Sequence, residues 1–254
     1  MESVLDIERR GKVVNATLNR PEAGNCLSHE LVGALQGLAD ECRETGIALL
    51  VLRGRGKHFC TGFDLSGLED ETDDTLLARF VRVELLLQSI RAAPFATVAL
   101  GQGRIMGAGA DLFAACEERV IVDDADFCFP GAGFGLVLGT GRLARLVGAG
   151  AARDWICSGR RIGADEALRS GLATRHIAGP QAAEEVDRIG RRAQTLDDET
   201  RARIYAASGE EAGLAARDLK ALVASAAKPG IKERIMRYRE KAQNARLNKA
   251  AAAS

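Results

Sequence analysis

Apolar and polar residues alternate over Val13–Leu18, the period of a strand with one buried face, and the loop-forming run NRPEAG at 19–24 then breaks the pattern. Ser28 stands where a helix cap belongs, ahead of Leu31, Leu35, Leu38 and Cys42 on one helical face. Residues 47–52 are an unbroken apolar run between Gly46 and Gly54, which predicts a strand buried on both sides. Helical spacing returns over 74–91 (Leu77, Phe80, Val81, Glu84, Leu87, Ile90), Pro94 ends it, and a third apolar run fills 95–100. A glycine-rich stretch at 101–109 opens a helix over 111–116, and 119–122 and 126–129 read as short strands. Beyond Gly139 the pattern is helical, apart from an edge strand at 173–177. Alternating elements followed by helices predict an α/β core over residues 1–195 and a C-terminal helical region over 196–254.

Composition narrows the function classes. Lys plus Arg equals Asp plus Glu, so no global field recruits nucleic acid or a membrane surface, and any anion must be caught locally. No apolar stretch approaches the ~18 residues of a membrane span, and the first twelve residues are charged. The six cysteines lack CxxC spacing and sit mostly in apolar runs, which implies reduced core residues, no metal site and a cytoplasmic location. The compositional shift comes at 228–249, where Lys228, Lys232, Arg234, Arg237, Arg239, Lys241, Arg246 and Lys249 face only Glu233 and Glu240. Such a run is either a solvated helix face or a contact with phosphates or a neighbouring subunit, and 250–254 reads as a frayed end.

Two glycine-bearing turns follow predicted buried strands: GKHFCTGFDL at 56–65 and GQGRIMGAGADL at 101–112. Each can leave a backbone amide unpaired, and the second also offers the positive end of a helix dipole. Two such donors converging on one carbonyl oxygen would form an oxyanion hole, although either turn alone reads as an ordinary tight turn. Neither a dinucleotide GxGxxG with its following acid nor GxxxxGK[ST] occurs, so nucleotide cofactors find no support.

The segments NRPEAGNCLS (19–28), LLVLRGRGKHFCTGFDL (49–65) and APFATVALGQGRIMGAGADLFAACE (93–117), in this order and spacing, resemble the signature segments of the enoyl-CoA hydratase/isomerase, or crotonase, family. The likeness continues through GTGRLARLVG (139–148) and SGRRIGADEALRSGLA (158–173) and thins after about residue 177. The resemblance implies a crotonase-like spiral of ββα turns with a C-terminal helical trimerisation region, assembled as a homotrimer or a hexamer of two trimers. It implies an acyl-CoA thioester substrate, so that coenzyme A enters with the substrate and no separate cofactor is needed. By position, the oxyanion donors would be the amides of Phe63 and Ala108, with Gly107 in the acyl pocket and Phe63 narrowing it. Adenine and pantetheine would lie along Arg20, Ala23, Cys60, Thr61, Phe63, Asp64 and Leu65.

The departures matter as much. Hydratases of this family use two glutamates; here the first position holds Asp111 and the second falls at Gly131, while the loop at 135–140 is about three residues shorter than the family's. Asp reaches roughly 1.5 Å less than Glu, and acid/base work needs contact within about 2.6–3.2 Å or through one water. Concerted two-carboxylate hydration is therefore disfavoured, as is simple double-bond isomerisation of the kind that relies on the second glutamate, and Asp111 is either the proton-transfer residue or an ordinary acid at a helix N-terminus. Glu84 is a supplementary acid/base or an exposed or paired Glu, whereas His29, His58 and His176 read as structural and Cys60 and Cys116 as non-nucleophilic. The leading expectation is a CoA-thioester lyase or isomerase; an acyl-CoA decarboxylase or hydrolase, and a catalytically silent acyl-CoA-binding protein, are the alternatives.

Overall fold

The alternating segment near the N-terminus is strand β2 (Val13–Leu18), with Val14, Ala16 and Leu18 buried. The structure, a computed structural model, describes residues 3–209 and 213–251; the frayed end expected at 250–254 falls outside them from 252 onward, as do the side chains of Arg246 and Lys249. β2 pairs antiparallel with an edge strand, β1 (Leu5–Arg10), which its charged and mostly exposed residues conceal from a hydrophobic-pattern reading. On its other side β2 runs parallel to β3 (Leu49–Gly54), followed by β4 (Ala96–Met106) and β5 (Glu118–Cys128), both added in parallel. Two short strands, β6 (Ile162–Gly163) and β7 (Arg175–Ile177), complete the seven-stranded sheet by pairing with β5.

Helices cover both faces, so β3 buries Leu49, Leu50, Val51 and Leu52 as its unbroken apolar run requires. α1 (His29–Glu44) starts where the Ser28 side chain accepts the Leu31 amide at 3.1 Å, and α2 (Asp73–Arg91) starts at a Thr72–Thr75 capping box. With α3 (Ala108–Ala115) these helices pack into the main core, where Phe113 meets Phe59 edge-on at 6.0 Å and Phe127 at 5.0 Å. Each fully buried ring stabilises the fold by roughly 1.5–3 kcal/mol. After α4 (Thr140–Val147), α5 (Ala149–Ser158) and α6 (Ala164–Ser170), helix α7 (Ala182–Ala193) lays Val186 and Ile189 against Leu49, Val51 and Val98 on the opposite face.

The remaining helices are α8 (Asp198–Ser208), α9 (Leu214–Ala226) and α10 (Ile231–Ala251). Leu222, Ala226, Ile231 and Ile235 of α9 and α10 close over Leu76 and Phe80 of α2 and over Leu136, forming a second core beside the site. The basic residues near the start of α10 make specific contacts: Arg234 donates to the carbonyls of Phe134, Lys228, Pro229 and Ser225, and Lys232 Nζ to that of Glu69.

Two sequence expectations differ from the fold. The glycines at 101 and 103 do not end a strand; they shift its register, with Gly103 at φ +59, and β4 continues to Met106. A Cβ at Gly103 would lie 2.1 Å from the Lys57 carbonyl oxygen, so only glycine lets β4 pass that turn. Opposite this irregularity, Asp123 takes φ +55, and the strands expected at 119–122 and 126–129 are one bent strand, β5. The bend carries Met106 past the edge of β3 and delivers the start of α3, at Ala108 instead of the expected 111, to the segment around Cys60.

Candidate active site

Two chain segments meet at the N-terminus of α3. Leu27 donates its amide to the Gly62 carbonyl at 2.7 Å and accepts from the Asp64 amide at 3.1 Å, so the Phe63 amide between them is turned the other way. Gly107 precedes α3 with its N–H on the Cys128 carbonyl at 2.8 Å, leaving the amide of Ala108 as an orphan of the first helical turn. Among the described residues no acceptor takes either the Phe63 or the Ala108 amide. A Cβ built on Gly62, at φ +111, would lie 3.0 Å from the Met106 carbonyl oxygen and 3.8 Å from the Ala108 nitrogen. One built on Gly109 would strike the Cys60 carbonyl at 2.3 Å. Glycine at these positions therefore lets the two unpaired donors approach one another.

Asp111 lies one turn further along α3, on the face of Ala108, with its side chain inclined back toward the helix start. It is only 5% exposed, and no described residue donates a hydrogen bond to its carboxylate. Burial pushes the carboxyl up to about 8; Arg142 opposes the shift and the negative Glu84 adds to it. An ordinary acid at a helix N-terminus would instead be ionised and solvated. Gly139, which caps α4 at φ +63, makes room for the group: a Cβ there would sit 2.0 Å from Asp111 Oδ1.

Glu84 on α2 is fully buried and paired. Its Oε1 accepts from Arg142 at 3.0 Å and from Gln88 at 2.8 Å, and burial raises its carboxyl despite both partners. At the rim, Arg20 donates to Asp64 Oδ2 at 2.6 Å, and Ser66 donates its amide to Oδ1 at 2.9 Å. Burial disfavours ionised Asp64, but the Ser66 amide and Arg20 outweigh it and hold the carboxyl below its ordinary range. Ala23 lies in the tight turn Pro21–Ala23, and both the amide and hydroxyl of Thr61 donate to Gly24. Leu65 packs on the second core. Cys60 is fully buried beneath α3 and offers no side chain to a ligand; burial pushes its thiol, like that of Cys116, up to about 12. The Phe63 ring stacks on Phe80 with centroids 4.3 Å apart and carries the Arg79 guanidinium at 4.3 Å, so it fills space between the two cores.

The description "Enoyl-CoA hydratase/isomerase" belongs to the family model that matches residues 8–244. The chain belongs to the enoyl-CoA hydratase/isomerase family. It is 33% identical over 184 residues to YngF of Bacillus subtilis, named for the same family, with 70% of each chain covered. With the short-chain-enoyl-CoA hydratase of Clostridium acetobutylicum it shares 32% identity over 185 residues, 67% of each chain. A crystal structure described as an enoyl-CoA hydratase/isomerase from Bordetella parapertussis superimposes with a TM-score of 0.91 at 42% identity, covering 93% of this chain and 98% of that one. The mixed α/β sheet and its helices accordingly have the crotonase fold, and the chain is an acyl-CoA-processing enzyme of this family.

Against the enoyl-CoA hydratase/isomerase pattern, Gly131 lies in the tight turn Pro130–Phe134, and a Cβ there would meet nothing closer than Leu136 at 3.8 Å. His58 is occupied, its Nδ1 accepting the Arg104 amide at 3.0 Å, while His29 contacts Arg82 and His176 contacts the Asp123 carbonyl. No helix among the described residues is long and apolar enough to cross a membrane.

Two further residues hold the site together. Asn25, buried at φ +54, accepts the Arg20 amide and donates to the carbonyls of Arg55 and His58, tying the rim loop to the donor turn. Arg142, 3% exposed, joins Glu84 to the surroundings of Asp111. One signal was available for it: a cation in the first turn of a helix opposes the dipole and calls for a nearby carboxylate.

Proposed function

We propose that this chain binds an acyl-CoA thioester with its carbonyl oxygen between the amides of Phe63 and Ala108, stabilises the enolate that forms there, and moves one proton through Asp111. The observation that carries the reading is the pair of unaccepted amides brought together across Gly62. Donors fixed where negative charge develops, in a water-poor site, are each worth about 3–4 kcal/mol of barrier. Asp111, held up to about 8 by burial, would in its ionised fraction take the proton from the carbon beside the thioester carbonyl, leaving the C–H electron pair on the enolate, and the neutral acid so formed would return that proton to a conjugated carbon of the enolate. With no carboxylate at 131, the chemistry is that of a one-carboxyl lyase or isomerase rather than concerted hydration. Arg20, Ala23, Thr61, Asp64 and Leu65, with the main chain of Cys60, form the rim for the adenine and pantetheine, and the helices after residue 195 serve a homotrimer or hexamer.

The test is incubation of purified protein with short enoyl-CoA and dienoyl-CoA thioesters, following the conjugated chromophore. Turnover that falls in Asp111→Asn supports the reading; a chromophore unchanged with every thioester overturns it. A second reading, decarboxylation or hydrolysis, is favoured by the space at Gly131, where an added Cβ meets only ordinary contacts. Carbon dioxide or free thiol from malonyl-type thioesters would select it, and tight binding with all thioesters recovered intact would mark a silent binder.

A further inference from the structure

Glu84 and Arg142 form a charge pair with side chains 0% and 3% exposed, contributed by two helices that both pack on α3. A pair kept for stability would be expected to satisfy its remaining polar atoms, because a buried unpaired donor or acceptor costs about 1–3 kcal/mol. This one does not: Glu84 Oε2 and Arg142 Nη1 are buried with no hydrogen-bond partner among the described residues. Arg142 also enters α4 at the dipole-opposed end, three residues after Gly139, whose missing side chain admits Asp111 Oδ1. The glycine cap of α4 thus closes on the Asp111 carboxyl and brings Arg142 with it.

We infer that Arg142 and Glu84 are positioning residues, a buried counter-charge pair behind Asp111 that decides how that carboxyl is held and when it gives up its proton. The inference rests on the reading of Asp111 as the proton-transfer group. The charges that face Asp111 are Arg142 from α4 and Glu84 from α2. Behind them stand the amide of Gln88 and, from α9, Asp218, which Arg145 holds at 2.9 Å. Arg142, Gln88, Arg145 and Asp218 also line a cavity of about 890 Å³, so the arginine of the pair stands between Glu84 and that space. Removing the cation must make the Asp111 proton harder to lose, and removing the anion must make it easier. A purely structural role would not produce opposite signs from the two halves of one ion pair.

The experiment is an NMR titration of protein carrying carboxyl-labelled aspartate, with the Asp111 resonance identified by its loss in Asp111→Asn. Relative to wild type, the midpoint should fall by about one pH unit or more in Glu84→Gln and rise by a similar amount in Arg142→Met, with the double variant between them. If Arg142→Met does not fold, the double variant takes its place and must titrate above Glu84→Gln; exchange of a whole buried pair for neutral groups is usually tolerated. Midpoints that stay put, or move the same way in folded proteins, overturn the inference. Midpoints that move as expected in a protein inert to every thioester uphold the pairing and overturn the proposed reaction instead.

Discussion

The two sides of α3 are built from different materials. On the side facing Cys60 and Phe63 everything is main chain: two amides, a carbonyl frame, and glycines at 62 and 109 that permit the approach. On the side facing α2 and α4 everything is side chain: Asp111, Glu84 and Arg142. The backbone side can tolerate different side chains at 63 and 108, because what it would offer a substrate is an N–H that every residue but proline carries. The side-chain side has no such tolerance, since each replacement changes reach, charge and protonation together.

Asp111→Asn attacks the side-chain half and should lower turnover about 10²–10⁴-fold, the range for a lost general acid or base, with little change in thioester affinity. An unaltered rate would move the balance wholly to the amides. Gly62→Ala attacks the other half, placing a Cβ 3.0 Å from the Met106 carbonyl on a residue at φ +111; steady-state kinetics should show a loss of about 10²–10³-fold with the fold retained by circular dichroism.

A smaller effect separates the halves by stability. The Asp111 carboxyl lies near 8 in the folded chain against 3.8 ordinarily, so its favourable contribution is complete below about pH 4 and is lost as pH rises through about 8. Melting temperatures of Asp111→Asn and wild type should therefore diverge in favour of the variant as pH rises from about 4 to about 8 and differ by a constant amount above that. The smallest expected change is from Gly131→Glu, whose Cβ meets only contacts of 3.8 Å or more. Its melting temperature should stay within a few degrees of wild type, and any new hydration of an enoyl thioester would show that the missing acid alone separates this side from that of the hydratases.

Much of this was legible in the chain. The Val13–Leu18 alternation, the apolar run inside β3 and the Ser28 cap specify their elements locally, and NRPEAGNCLS, the Gly62 turn and GAGADL mark the segments that meet at the candidate site. The single strand β5 was less so, because its bend at Asp123 is imposed by β4 and resembles a break when read alone. β1 was hidden because an edge strand needs no apolar period.

What the sequence determined by itself is what short-range physics determines: periodicity, caps, and glycines at turns. Only the tertiary structure decided that Asp111 is buried, that Gly139 closes on it, and that Glu84, 58 residues before Arg142, is that arginine's partner. Protonation and pairing depend on desolvation and on charges brought together across α2, α3 and α4. Neither quantity exists until those helices pack.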